Sequence, residues 1–156
     1  RYTQFPASIM GGDVNAMLNV HESFNLYFSS AIVRGQDRQK NEWLQFVPAD
    51  RARLGVHVHT DDVGGLHDAF VDCSILGVRR QDNVVAGRDY AEPPAGYFRT
   101  DLSIGGVLEI SEKMLSRITL SCDNVFNVAY RDYLSQYRYF TDDPGRNIIL
   151  RFTTSF

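Results

Sequence analysis

From Asn147 to Phe156, hydrophobic and polar positions alternate. Ile148, Leu150, Phe152, Thr154 and Phe156 fall on one side of an extended chain, and Asn147, Ile149, Arg151, Thr153 and Ser155 on the other. Strand side chains have a period of two, so the pattern predicts a ribbon with one apolar and one mostly polar face. Similar alternation gives predicted strands at 2–19, 24–34, 51–60, 68–80, 97–110, 117–131 and 146–156. In the later strands one face holds Phe98, Thr100, Leu102, Ile104, Gly106, Leu108 and Ile110, then Ile118, Leu120 and Cys122. The opposite face carries Arg99, Asp101, Glu109, Asp123 and Arg151. In the second strand Phe24, Leu26, Phe28 and Ile32 oppose Asn25, Tyr27 and Ser29. The run 68–80 is less clean, because Phe70, Leu76 and Val78 share a face with Asp68 and Asp72. Helical periodicity is nearly absent, and its best short match, Ser111 to Arg117, is expected to be a turn.

The connections alternate in length. Those around His21–Ser23, Asp61–Leu66 and Ser111–Ser116 are short, whereas Gly35–Asp50, Gln81–Gly96 and Leu134–Gly145 are long and polar. Transmembrane barrels have short turns on one side and longer loops on the other. A water-soluble sandwich also alternates, but its strands usually run about 5–6 residues, against the roughly 9–11 that a tilted spanning strand needs. Tyr97, Phe98, Tyr130 and Tyr133 cluster at strand ends beneath the long loops, where an interfacial aromatic girdle is expected. The expected fold is all-β, an antiparallel transmembrane β-barrel segment of about seven meandering strands.

Composition narrows the choice further. A chain of 156 residues is expected to be one domain, and 22% charged with 44% hydrophobic residues excludes a disordered chain. The net charge of −3 supplies no basic footprint for nucleic acid. No run approaches the roughly 18 apolar residues of a membrane helix; a mean hydropathy of −0.26 fits a barrel, whose strands score weakly. The chain opens on Arg1 without a charged-then-apolar leader, so an N-terminal part is expected to be missing or removed. Cys73 and Cys122 fall on the fourth and sixth predicted strands. Two strand spacings come to about 9.6 Å, beyond the roughly 7 Å Cα limit of a disulfide, so two free, apolar-facing thiols are expected.

Residue chemistry points to binding rather than catalysis. His57 and His59 share a strand face, yet no third ligand completes a metal site, so two inward polar residues are the expected reading and no metal or other cofactor is assigned. Asp61–Asp62 and Asp142–Asp143 fall in connections and are expected to be solvated. No Gly-x-Ser-x-Gly elbow is present, and no catalytic residue is assigned. The long loops offer cations beside aromatics: Arg38, Lys40 and Trp43 in the first, Arg88 and Tyr90 in the second, Tyr137, Arg138 and Tyr139 in the third. These suit an anionic, aromatic ligand through charge pairing and cation–π contact.

Specific motifs add a family. The alternating ribbon ending on Phe156 resembles the closing strand of outer-membrane barrels, which the barrel-assembly machinery reads. Asp123-Asn124-Val125-Phe126-Asn127-Val128-Ala129-Tyr130 resembles the Asn-Leu-Phe-Asn…Tyr motif in the penultimate strand of TonB-dependent outer-membrane receptors, with Val125 in place of Leu. Gly145-Arg146-Asn147 opens the last strand as in that family. Phe46-Val47-Pro48-Ala49-Asp50-Arg51 is similar to its loop-to-strand junction, and Gly11-Gly12-Asp13 to its Gly-x-Glu element, with Asp13 in place of Glu. The resemblance covers essentially the whole chain and implies that residues 1–156 are the C-terminal portion of a 22-stranded barrel, the N-terminal strands and plug domain being absent. It implies active uptake of a small-molecule metal chelate, siderophore receptors being the expected kind. The implied partners are outer-membrane lipid and the TonB complex, which acts through the missing plug. Asn124, Phe126, Asn127, Tyr130, Gly145, Arg146, Asn147 and Phe156 are then structural, with Asp123 and Asn127 expected to face the lumen. The alternative is a small self-contained outer-membrane barrel with a binding or structural role, which would need an eighth strand from a split at Gly11-Gly12.

Overall fold

The computed structural model describes residues 5–111 and 114–155. Seven long strands form one antiparallel sheet: β1 (Ala7–His21), β2 (Phe24–Asp37), β4 (Arg51–Val63), β5 (Leu66–Val78), β6 (Tyr97–Ser111), β7 (Met114–Asp123) and β8 (Asn147–Ser155). A two-residue strand, β3 (Glu42–Trp43), pairs with the end of β2. The order β1-β2-β4-β5-β6-β7-β8 is a simple meander, and the sheet is open, with β1 and β8 as its edges. The β4–β5 turn is Gly64-Gly65, with φ of +60° and +85°. Two successive positive φ values match the twist of a two-residue hairpin, and glycine adopts them without steric cost.

The pairing register turns the sequence alternation into two surfaces. Leu18, Leu26, Val56, Cys73, Leu102, Cys122 and Ile148 form one cross-strand row through all seven long strands. A neighbouring row on the same face runs Phe24, Val58, Val71, Ile104, Leu120 and Leu150. The opposite face carries Asn25, His57, Asp72, Ser103 and Ser121 in one row. Among the described residues no second layer covers the apolar face: Phe98 is 73% exposed, Leu150 69% and Phe152 58%. These residues by themselves therefore form a single open sheet and not a sandwich. The buried hydrophobic side chains among the described residues are Val47, Ala49, Val78 and Tyr133, which gather at the long-loop end. Cys73 and Cys122 are free thiols on the apolar face, each opposite Leu102 with β6 between them.

Several expected boundaries shift. The unclean run resolves at a bulge between His67 and Phe70, where Asp68 has φ of +47°. Val71, Cys73 and Ile75 then take the apolar face, and Phe70, Asp72 and Leu76 the polar one. Asp61 and Asp62 extend β4 rather than forming a connection, and the Asp62 carboxylate accepts the Gly65 N–H. β1 runs unbroken through Gly11-Gly12, so the split needed for a small eight-stranded barrel does not occur. Of the turn expected over Ser111 to Arg117, Ser111 ends β6 and Met114 to Arg117 already belong to β7, so any turn is shorter than expected; residues 112–113 and the terminal Phe156 lie outside the described residues.

The largest shift concerns the strand expected over 117–131, which ends at Asp123. Asn124 and Asn127 take φ of +54° and +52°, in the left-handed region that asparagine tolerates better than most residues. The fully buried Asn124 amide donates to the Val128 carbonyl and accepts the Val128 N–H, both at 2.9 Å. The Asn127 Oδ1 accepts the Arg146 N–H at 2.8 Å. A Cβ at position 145 would stand 2.6 Å from that oxygen, so Gly145 leaves room for the bond. The motif is a knot tying the exit of β7 to the start of β8. Asn124→Ala would leave two buried backbone groups unpaired and should lower the stability of the folded barrel by about 1–3 kcal/mol. Denaturant unfolding of the full-length protein in detergent checks this, and an unchanged midpoint would contradict it.

Candidate binding surface

The polar face gathers its charges into pairs. Tyr27 on β2 donates to Asp72 of β5 at 2.9 Å, and His57 of β4 stands 3.4 Å from the same carboxylate while stacking on Phe70. Arg53 donates to Ser74 at 2.8 Å and lies 3.3 Å from Asp101. Arg99 donates to Asp101 at 3.0 Å and to the Tyr130 hydroxyl at 3.1 Å. Asp101 also accepts the Asn124 N–H at 3.0 Å, so one carboxylate joins β4, β6 and the β7–β8 loop. Tyr97 donates to Asp132 at 3.1 Å, and Arg51 lies 3.4 Å from that aspartate. Among the described residues no three His, Cys, Asp or Glu side chains converge as a metal site.

Above this ladder the three long loops pack on one another. Gln81 donates to the Val47 and Pro48 carbonyls at 2.8 and 3.0 Å, joining the second loop to the first. Arg88 pairs with Glu42 at 2.5 Å across the same two loops. Arg138, 4% exposed, is clasped between the Tyr133 and Tyr139 rings at 4.5 Å each and bonds Asp89 of the second loop. Tyr139 donates to the other oxygen of Asp89 at 2.6 Å. Burial opposes ionisation of Asp89, but the bonds from Tyr139, Arg138 and the Tyr90 N–H prevail and hold its carboxyl below the usual range. Asp142 and Asp143 are structural rather than merely solvated: Arg131 binds Asp142 at 2.6 Å, and Asp143 accepts the Asp132 N–H at 2.7 Å.

The expected ligand residues divide into three groups. Lys40, Trp43 and Arg88 come together around a cleft of about 670 Å³, with Gln45 and Asp37 on its wall. Arg38, Tyr90 and Tyr137 are exposed on the loops, Tyr90 98% so. Arg138 and Tyr139 are committed to the clasp on Asp89. A second cleft of about 230 Å³ lies between Gln45, Asp89, Tyr90 and Tyr133. Of the four aromatics expected in a girdle, Phe98 alone is on the apolar face. The Tyr97 and Tyr130 rings meet at a tilt of 33°, 4.4 Å apart, on the polar side, and Tyr133 is buried among the loops. Sequence reasoning missed Asp89, Asp101 and Gln81. An arginine set between aromatics signals a cation–π clasp, but its acidic partner lies 49 residues away and has no local signature.

No family model matches the chain. No curated protein matches it in sequence. Among solved structures it is similar to one described as the copper transporter OprC, with a TM-score of 0.78 at 20% identity over 97% of this chain. The chain spans 23% of the length of that structure. The likeness establishes a shared fold.

Because Asp89 is held below its ordinary range, its contribution to loop packing is complete above about pH 4, the unfolded carboxylate value. It is lost as pH falls through the lower folded value. Hydrogen exchange in 79–96 and 130–143 should therefore stay slow from neutral pH to about pH 4 and rise in stronger acid. Asp89→Asn should exchange faster from neutral pH down to about pH 4 and converge with the wild type in stronger acid. An exchange profile unchanged in that variant would refute the clasp.

Proposed function

We propose that this chain is the C-terminal wall segment of an active outer-membrane transporter of the TonB-dependent kind. Its short turns face the periplasm and its long loops the outside. The observation that carries the reading is the register, continuous through the middle of the sheet, which leaves one face apolar and bare across seven strands while charges pair on the other. Bare apolar surface of this extent suits hydrocarbon, and a paired, hydrated face suits a barrel lumen. The alternating loop lengths, the Asn124–Gly145 knot and the likeness to a solved copper transporter support the same reading.

Two open edges need further strands, since a bilayer offers no partners to bare backbone groups. In the full-length protein those strands close the barrel, and an N-terminal plug couples it to the TonB complex. β8 is the strand presented to the assembly machinery. The ligand is a scarce metal carried as a small-molecule chelate, with a ferric siderophore favoured by the Lys40–Trp43–Arg88 cleft: two cations and an indole suit an anionic aromatic shell better than a bare ion. Transport changes no covalent bond of the ligand, so no catalytic group is required.

Two measurements on the full-length protein test this. Ile104→Arg places a charge on the apolar face and should cost about 2–4 kcal/mol in lipid, whereas Ser103→Arg on the polar face should be nearly neutral. Equal effects would remove the membrane assignment. Lys40→Ala with Arg88→Ala should weaken ferric-siderophore binding to iron-starved cells roughly tenfold, with surface abundance unchanged. Wild-type binding by that variant would remove the cleft from the ligand path.

A further inference from the structure

The cleft that gathers Lys40, Trp43 and Arg88 also holds anions of its own. Asp37 lies on its wall, and Glu42, just off that wall, pairs with Arg88. Two cations therefore meet two carboxylates, and the empty cleft carries little net charge. The two carboxylates are held differently. Asp37 is 6% exposed, and its Oδ1 accepts the Gln39 and Lys40 N–H groups at 2.8 and 3.1 Å, which fixes it to the turn after β2. Glu42 has no such anchor. Its Oε2 is buried, and although Arg88 Nη2 stands 2.5 Å away, the contact lacks the alignment of a hydrogen bond. The register adds a second tension. Glu42 sits directly opposite Asp37 on the short β2–β3 ladder, and like charges directly opposite one another destabilise a ladder. Arg88 reaches over from the second loop and offsets that repulsion, with 40% of its own side chain still exposed.

We infer that Glu42 is an internal competitor for the anionic chelate at Arg88: a counter-ion that yields the guanidinium to the ligand and takes it back on release. The inference rests on the ligand role proposed above for this cleft. A guanidinium presents a planar fork of donors. A carboxylate that meets it at one nitrogen, out of line, leaves the rest of the fork to an incoming oxygen pair, whose aligned, charge-assisted bonds are the stronger ones. Once the ligand has Arg88, the repulsion between Asp37 and Glu42 is no longer offset. That repulsion favours the return of Arg88 to Glu42, so the ligand can leave without stranding a bare cation. Asp37 cannot play this part, because its carboxylate is committed to the backbone. The consequence is a weaker grip and a faster release than the two cations alone would give.

The test uses the full-length protein, purified in detergent for binding and in iron-starved cells for uptake. The probes are the trianionic ferric tris-catecholate and the neutral ferric tris-hydroxamate. Glu42→Gln keeps the shape of the side chain and an acceptor oxygen but removes the charge. It should bind the tris-catecholate roughly tenfold more tightly, mainly through slower dissociation. It should leave the neutral chelate unchanged, and uptake of the tris-catecholate at saturation should slow. Glu42→Asp, which keeps the charge, should stay near the wild type. Asp82→Asn, which removes an exposed carboxylate paired with Arg80 in the second loop, should change neither probe. Tris-catecholate binding by Glu42→Gln that equals or falls below the wild type overturns the inference. An equal gain for the neutral chelate overturns it too, as does tighter binding with undiminished uptake. Failure of the underlying reading looks different. Wild-type protein that binds neither chelate, or wild-type binding by the Lys40→Ala, Arg88→Ala double variant, overturns the cleft reading and this inference together.

Discussion

Everything in this molecule depends on keeping one pairing register across seven strands. Side chains alternate with a period of two, so a slip of one residue anywhere would move charged positions onto the bare apolar face. Arg53 pairs across to Leu76 and Ser29, and Leu54 to Ile75 and Phe28; exchanging those partners would set guanidinium among aliphatic neighbours. The meander topology helps, since each strand pairs with the next long strand in sequence. Irregularities are confined near the short turns, as at Asp68 and beyond Asn19 and Glu109. There they curve the ladder without disturbing its centre.

The second level of organisation is electrostatic and belongs to the polar face. Asp101 is its hub, binding Arg53, Arg99 and the Asn124 backbone. Through Asn124 the ladder is continuous with the knot at Asn127 and Gly145, and through Tyr97, Asp132 and Tyr133 with the base of the loops. Loop positions around the clefts are therefore held by strand positions on the polar face. Exposed ion pairs are individually weak, and the strength of this arrangement lies in its connectivity, because each carboxylate serves two or more partners.

The strands and their faces were legible from alternation alone, and so were the long and short connections. Periodicity erred where one residue broke a pattern that continued on either side. Val125, Phe126 and Val128 look like further strand, and the positive φ of Asn124 ends it. The tyrosines were misplaced because strand-end aromatics suit a lipid interface and a polar ladder equally well. Parity decides between them: Tyr97 shares its face with Arg99 and Asp101, so its inward placement was readable. The clasp of Arg138 on Asp89 was not, because contacts between separate loops leave no periodic trace. A bulge such as that at Asp68 is also hidden, since it changes the register without changing the composition.

The distribution of buried side chains gives the sheet a mechanical gradient. Val47, Ala49, Val78, Gln81, Tyr133 and Arg138 all lie at one end, whereas the Gly64-Gly65 end has backbone pairing and, among the described residues, the fully buried Ser116, whose hydroxyl meets that of Thr154 at 3.2 Å. A load applied at the glycine end would peel the hairpins there first and dissipate before reaching the packed end. The cleft residues thus sit on the stiff half of the molecule, insulated from strain that arises in the compliant half.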